Sequence, residues 1–227
     1  MSTARPTTEE ATEAWSEQIV RQKEVYNLAF IHLLEELTKG EPVSRERASE
    51  VLGVSGEKID KMFMGIDAAG GQFDDQGNFI GMALTLKPTR HSFRVNGNDM
   101  YAWCSLDTIG LPGILEAEGE IESNDPVTGK TIRLTVTADQ VVKVEPAGAV
   151  TSIFVPGKTP SETKDGKVVG GTKSEVCKSM LFYASRETAE QALENYPNIA
   201  IFTIEEAFNL MRETSTESVR RLREQAA

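Results

Sequence analysis

A chain of 227 residues, 39% hydrophobic and 26% charged, is long enough for one sizeable domain or two small ones sharing an interface, and has an ordinary globular make-up. Its formal net charge of -11 argues against non-specific attraction to nucleic acid or to an anionic membrane surface. No apolar run approaches the roughly 20 residues that span a bilayer, and the first residues, M-S-T-A-R-P-T-T-E-E, have no apolar signal core, so the expected address is the cytoplasm, where two cysteines stay reduced.

Residues 1–12 are polar and read as a flexible N-terminus. From Glu13 to Lys39, Trp15, Ile19, Val25, Leu28, Ile31, Leu34 and Leu37 recur at helical spacing, and Gly40 is a natural stop. His32 on this helix reads as a packing or surface residue rather than a metal ligand. The next stretch, P-V-S-R-E-R-A-S-E-V-L-G-V-S-G-E-K-I-D-K-M-F, predicts two short helices capped by Ser44 and Ser55, with Gly53 in the turn between them. With segments 79–86 and 89–95 as a wing, residues 13–97 read as a winged-helix-like module. Arg45, Arg47, Lys58 and Lys61 are balanced by Glu46, Glu50, Glu57 and Asp60. Without a basic footprint, the module is expected to be structural, with no nucleic-acid partner. Asp74, Asp75, Gly77 and Asn78 lack the closing glutamate of a calcium loop and read as a turn. His91, alternating within T-R-H-S-F-R-V, reads as a strand-surface residue, and Asn96-Gly97 is a turn.

Then comes Asn98–Thr108, N-D-M-Y-A-W-C-S-L-D-T. If the stretch is helical, the spacing of three puts the Cys104 thiol and the Asp107 carboxylate on one face, close enough to share a proton. Met100, Tyr101, Trp103 and Leu106 supply apolar and aromatic bulk around them. A thiol with a base in reach and a water-poor wall is a candidate reactive site. The bland alternative is a small buried hydrophobe beside a solvated acid.

Beyond Pro112 and Gly113 the pattern predicts strands at Leu115–Ser123, Thr131–Thr137, Val141–Glu145 and Ala149–Val155, forming an antiparallel sheet. Pro146 and Gly148 mark a tight bend where a backbone could approach a ligand. Residues 157–173 are polar and glycine-rich and read as a mobile loop. Glu175–Ala184 reads as a strand carrying the second cysteine, Cys177. Ser185 caps a helix to about Tyr196, Asn198–Phe202 is a strand, and Thr203 with Glu206 forms a capping box for the last helix. The charged tail Arg212–Ala227 reads as solvated. The fold class is therefore α+β, with the N-terminal helical module followed at 98–227 by a mainly antiparallel sheet core with flanking helices. There is no phosphate-binding loop, no dinucleotide fingerprint and no zinc-finger spacing.

Two cysteines far apart in sequence can still meet in space. Together they would form a soft two-thiolate site suited to Hg(II) or Cu(I). A carboxylate beside them could take a thiol proton as the metal binds and return one later. Sequestration of a soft ion needs only the thiols, whereas proton-transfer chemistry also needs Asp107. A winged-helix metal sensor is disfavoured by the neutral helix surface.

Y-A-W-C-S-L-D-T, then V-E-P-A-G, then a lone cysteine shortly before F-Y-A-S, resembles the alkylmercury lyase family, over about Leu33 to Leu210. The resemblance implies a catalytic trio of Cys104, Asp107 and Cys177, with the same three groups holding mercury as substrate and product. It implies cleavage of a carbon–mercury bond by protonolysis, giving a hydrocarbon and thiolate-bound Hg(II). No organic cofactor is implied; cellular thiols would carry mercury away, with a mercuric reductase downstream. The helix-turn-helix-like region of that family does not act as a repressor. Two departures stand out: Asp125 lies near where some members carry a further cysteine, and residues 157–173 are longer than the family's pattern.

Overall fold

The computed structural model describes residues 5–21, 27–156, 161–162, 168–169 and 173–226. The helical pattern expected to run unbroken from Glu13 to Lys39 forms two helices, α1 (Thr8–Arg21) and α2 (Leu28–Leu37), and residues 22–26 lie outside the described set. Helix α1 starts earlier than expected because Thr7 and Glu10 cap each other: Glu10 N–H donates to Thr7 Oγ1 at 3.2 Å and Thr7 N–H to Glu10 Oε2 at 2.8 Å. The segment expected to be flexible is thus anchored from Arg5 on. Arg5 donates to the carbonyls of Leu193 and Ile199 at 2.7 and 3.3 Å, Ala11 is buried, and the Trp15 indole donates to Phe154 O at 2.8 Å. His32 sits at the surface, 2.8 Å from Glu35.

Helices α3 (Arg45–Leu52) and α4 (Gly56–Ala68) follow, joined through Gly53, whose φ of +62° closes α3 in the left-handed conformation that glycine adopts freely. Ser44 accepts from Arg47 N–H at 3.1 Å as expected of an N-cap, whereas Ser55 precedes α4 without a side-chain cap bond.

The chain then builds an antiparallel sheet from β1 (Gln72–Phe73), β2 (Phe79–Met82), β3 (Leu84–Thr85), β4 (His91–Val95), β5 (Asn98–Ala102), β6 (Gly119–Asn124), β7 (Thr131–Val136) and β8 (Val141–Glu145). Its strand order is β1-β2-β3-β5-β4-β6-β7-β8. One face is dry: Phe93 and Val95 of β4, Ile121 of β6, and Ile132, Leu134 and Val136 of β7 are buried, while Ser92, Arg94, Glu120 and Glu122 are exposed. Strands β4 and β5 form a hairpin whose turn, Asn96-Gly97, has positive φ at both residues, and the sheet runs through the expected module edge at residue 97. His91 corrects the expectation of a strand-surface residue: it is 1% exposed on the dry face.

A second sheet pairs the wholly buried β9 (Val150–Phe154) with β12 (Phe182–Tyr183) on one side and β13 (Ile199–Thr203) on the other. Between them in sequence come β10 (Ser161–Glu162) and β11 (Val168–Val169), paired antiparallel, and helices α6 (Lys173–Ser179) and α7 (Arg186–Ala192). Of the expected loop 157–173, residues 157–160, 163–167 and 170–172 lie outside the described set.

Helix α5 (Ser105–Leu115) is the axis on which these layers pack. Every residue in it is buried apart from Asp107, as suits a helix that is apolar on all sides. Gly110 and Gly113 let α8 (Ile204–Met211) and the segment after it come close. A Cβ on Gly110 would collide with Met211 Cε, and one on Gly113 with Thr216 Oγ1. The tail expected to be solvated is packed instead. Arg212–Thr216 forms a π-helical turn that buries Thr214, Ser215 and Thr216, and α9 (Glu217–Ala226) returns over α2 and the end of α5. Arg223 fastens it, pairing with Glu35 and Glu116 at 2.6 Å each and donating to Ile114 O at 3.1 Å. No helix among the described residues is long and apolar enough to cross a membrane.

Candidate active site

Cys104 occupies the N-cap of α5 rather than its first turn. Its backbone is extended (φ -146°, ψ 170°), and its sulfur accepts from Asp107 N–H at 3.4 Å. The thiol in turn donates to Asp107 Oδ2 at 3.0 Å. This is an N-cap built with sulfur: the usual hydroxyl is replaced by a thiol, and the acidic side chain at the third helical position folds back onto that thiol. The spacing of three therefore works as expected, through a cap rather than a shared helix face. The strand-to-helix corner is pinned from all sides. Trp103 N–H donates to Ala83 O at 2.9 Å, Thr89 Oγ1 to Ala102 O at 2.6 Å, and Ser105 N–H to Met180 O at 3.2 Å, while the Ser105 and Thr151 hydroxyls meet at 2.6 Å.

Cys177 lies on helix α6, not on a strand as expected. The strand is confined to Phe182–Tyr183, after the helix has ended and Met180 N–H has bonded back to Cys177 O at 3.2 Å. Ser152 on β9 holds this corner, donating to Ser179 O at 2.8 Å and accepting from Leu181 N–H at 2.9 Å. The result is a cluster in which Cys104 Sγ, Cys177 Sγ and an Asp107 oxygen all lie within 4.8 Å of one another. Cys104 is buried; Asp107 and Cys177 are partly so.

Burial dominates the electrostatics. It pushes Asp107 up to about 6, against the hydrogen bond from Cys104. It also raises the Cys104 thiol well above its ordinary value, with the neighbouring Cys177 and Asp107 adding to the effect. The resting form at neutral pH is therefore a protonated Cys104 donating to an ionised Asp107. The pair is a proton donor and acceptor in contact, beside a second soft ligand.

A cleft of about 620 Å³ opens beside Cys177, walled by Trp103, Leu181 and His91 among others. His91 is neutral: burial, then the charge of Arg90, lowers its pKa to about 4. Its Nδ1 is 3.0 Å from Ser123 Oγ, and its ring meets Phe182 edge-on at 5.6 Å.

Sequence reasoning noted Asp125 as standing near a cysteine of some family members and gave it no structural role in tying distant elements together. Its Oδ1 accepts from Val127 and Thr128 N–H at 2.7 and 3.0 Å, closing the β6–β7 turn. Its Oδ2 accepts from Ala184 N–H at 2.7 Å and Thr188 Oγ1 at 3.2 Å, tying that turn to the start of α7. Burial opposes its charge, but these bonds outweigh it and hold the carboxyl below the usual range. The D-P-V-T string signals the local turn; the reach to Ala184 has no local signal.

A family model described as alkylmercury lyase matches residues 84–216. The chain is 34% identical over 187 residues to the alkylmercury lyase of Pseudomonas putida, covering 82% of each chain. It is 35% identical over 183 residues to that of Staphylococcus epidermidis (81% of this chain, 79% of the relative) and 31% identical over 180 residues to that of Streptomyces lividans (79% and 78%). Its fold is like that of a crystal structure described as the mercury-bound form of MerB2, with a TM-score of 0.69 over 92% of this chain and 98% of the other, at 18% identity.

Proposed function

This chain belongs to the alkylmercury lyase family, and from that premise we propose how its residues cleave the carbon–mercury bond of an organomercurial. The observation that carries the proposal is the contact of Cys104, Asp107 and Cys177 within 4.8 Å, with the first thiol already donating to the carboxylate.

The organomercurial arrives as a thiolate adduct. Cys177, the more accessible thiol, exchanges onto mercury and releases the incoming thiol with its proton. Cys104 then transfers its proton to Asp107 as its sulfur bonds to mercury. A buried thiol whose pKa is raised gives up its proton readily only when a soft metal takes its place, and the adjacent carboxylate near 6 is matched to receive it. Two thiolates push electron density onto mercury and weaken its bond to carbon. Asp107 protonates that carbon as the bond breaks, so the hydrocarbon leaves with the proton that began on Cys104. Hg(II) remains on the two sulfurs, and two external thiols remove it and return protons to the cysteines.

The mechanism calls for no organic cofactor. Cellular thiols serve as acceptors of the product, a cytoplasmic location supplies them, and a mercuric reductase is the downstream enzyme we propose. The N-terminal helices and the 79–95 strands serve, in our reading, as a winged-helix-like structural module with no nucleic-acid partner.

The test is single-turnover benzene release from a phenylmercury salt in excess thiol, alongside Hg(II) titration. The parent should release benzene, and Cys104→Ala or Cys177→Ala should lose both tight Hg(II) binding and cleavage. Tight binding of phenylmercury by the parent with no benzene released would leave a two-thiol trap and overturn the lyase mechanism.

A further inference from the structure

In a chain of net charge -11, the cleft beside Cys177 has a charged lining of one sign. Arg90, just before β4, and Lys178, next to Cys177 on α6, both line it, and no carboxylate does among the described residues. Both cations are exposed, so they lie where a ligand's charge would remain partly hydrated. Among the described residues, Arg90 makes a long bond from its Nη1 to Asn124 O at 3.4 Å. The rest of the wall is neutral: Trp103 and Leu181 give apolar surface, and Gln72 and Thr89 add polar groups without charge. The volume of about 620 Å³ leaves ample room for an aromatic group carrying a small substituent.

Resting on the reading that Cys177 holds mercury, we propose that this cleft selects organomercurials whose organic group carries a carboxylate, with the hydrocarbon body against Trp103 and Leu181 and the anion between Arg90 and Lys178. A guanidinium presents paired donors that match a carboxylate, and an ammonium adds a second positive charge. A cleft with low-dielectric walls and charge of one sign also concentrates the matching ligand before it binds. Exposed pairs are individually weak, so the preference is a modest specificity factor of about three- to tenfold from both residues together.

The experiment compares kcat/KM for para-carboxyphenylmercury and phenylmercury, with mercaptoethanol as the thiol so that the substrate carries the only carboxylate. The parent and the Arg90→Gln, Lys178→Gln and double variants are measured. The intrinsic effect of the substituent on the carbon–mercury bond is common to all four proteins, so the change in ratio between them reports recognition. The expected result is a ratio that falls in each single variant and by about three- to tenfold in the double variant. Lys178→Arg should keep the parent's ratio, and raising the ionic strength should erode it in the parent. An unchanged ratio in the double variant, or in both single variants should the double fail to fold, overturns the proposal. Failure of the parent to release benzene from phenylmercury would instead overturn the lyase mechanism on which it rests, so the two failures are distinguishable.

Discussion

Asp107 carries opposite demands on stability and chemistry. Its folded pKa of about 6 lies above the ordinary 3.8, so the folded state holds an extra proton between those values. Its contribution to stability is present at low pH and is lost as pH rises through that window. At neutral pH the buried charge is a cost, so Asp107→Asn should be more stable than the parent by about 1–3 kcal/mol in urea denaturation. The same substitution should leave Hg(II) titration largely unchanged and slow benzene release by about 10²–10⁴. In the parent, kcat/KM should fall as pH drops through about 6, where the carboxylate can no longer accept the thiol proton, and the variant should lack that limb. His91 behaves in the opposite sense. With a folded pKa of about 4, it contributes stability above the ordinary 6.5 that is lost as pH falls towards 4. The parent should lose up to about 3 kcal/mol across that range from this residue, and His91→Gln should flatten the dependence in denaturation curves taken at several pH values. The residues we propose as reactive were legible because the chain has only two cysteines, one with an acid three positions on. His91 was misplaced although a signal existed: it shares strand parity with Phe93 and Val95, and those two mark the inner face.

At the scale of elements, α5 depends on what its glycines leave out. Gly113→Ala would drive a methyl into Thr216, which is held within a buried turn, so it should destabilise the protein by about 1–3 kcal/mol in urea denaturation. Asp125→Ala should cost about 2–4 kcal/mol, since it strands buried donors on both sides of the β6–β7 turn. Hydrogen exchange at the Ala184 amide should quicken in that variant beyond what global destabilisation explains. Capping motifs made several boundaries legible, as with Thr203 and Glu206, where both reciprocal bonds form. Helix α6 was not legible: it has seven residues, of which only Val176 and Cys177 are apolar, and the apolar run 180–183 beyond its end pulls the whole stretch towards a strand reading. The tail failed for a similar reason: Thr214, Ser215 and Thr216 are polar in composition, yet a wide turn places them against the glycine face of α5.

For the whole molecule, the mixed α+β class followed from alternating strand segments and capped helices, but the way the halves join did not. β4 pairs with β5 on one side and β6 on the other, so a single sheet links the N-terminal strands to those that follow α5. No local pattern encodes that order, because every candidate edge has a similar alternation. The same architecture makes α5 dependent on elements far downstream. Its outer wall is α8, the π-helical turn and α9, fastened by Arg223 to Glu35 and Glu116. A growing chain therefore exposes both sulfurs before it has made the helices that wall the far end of α5. In that interval a mercuric ion meets two unconstrained thiols, which it can bridge in any loop geometry or between neighbouring chains. The order of addition then decides the outcome. Refolding from urea with Hg(II) already present should recover less native protein than refolding first and adding Hg(II) afterwards, as read by the yield of benzene-releasing enzyme after the metal is stripped with excess thiol. A cell making this enzyme under mercury stress faces the same race, between closing the last helix and the arrival of the metal.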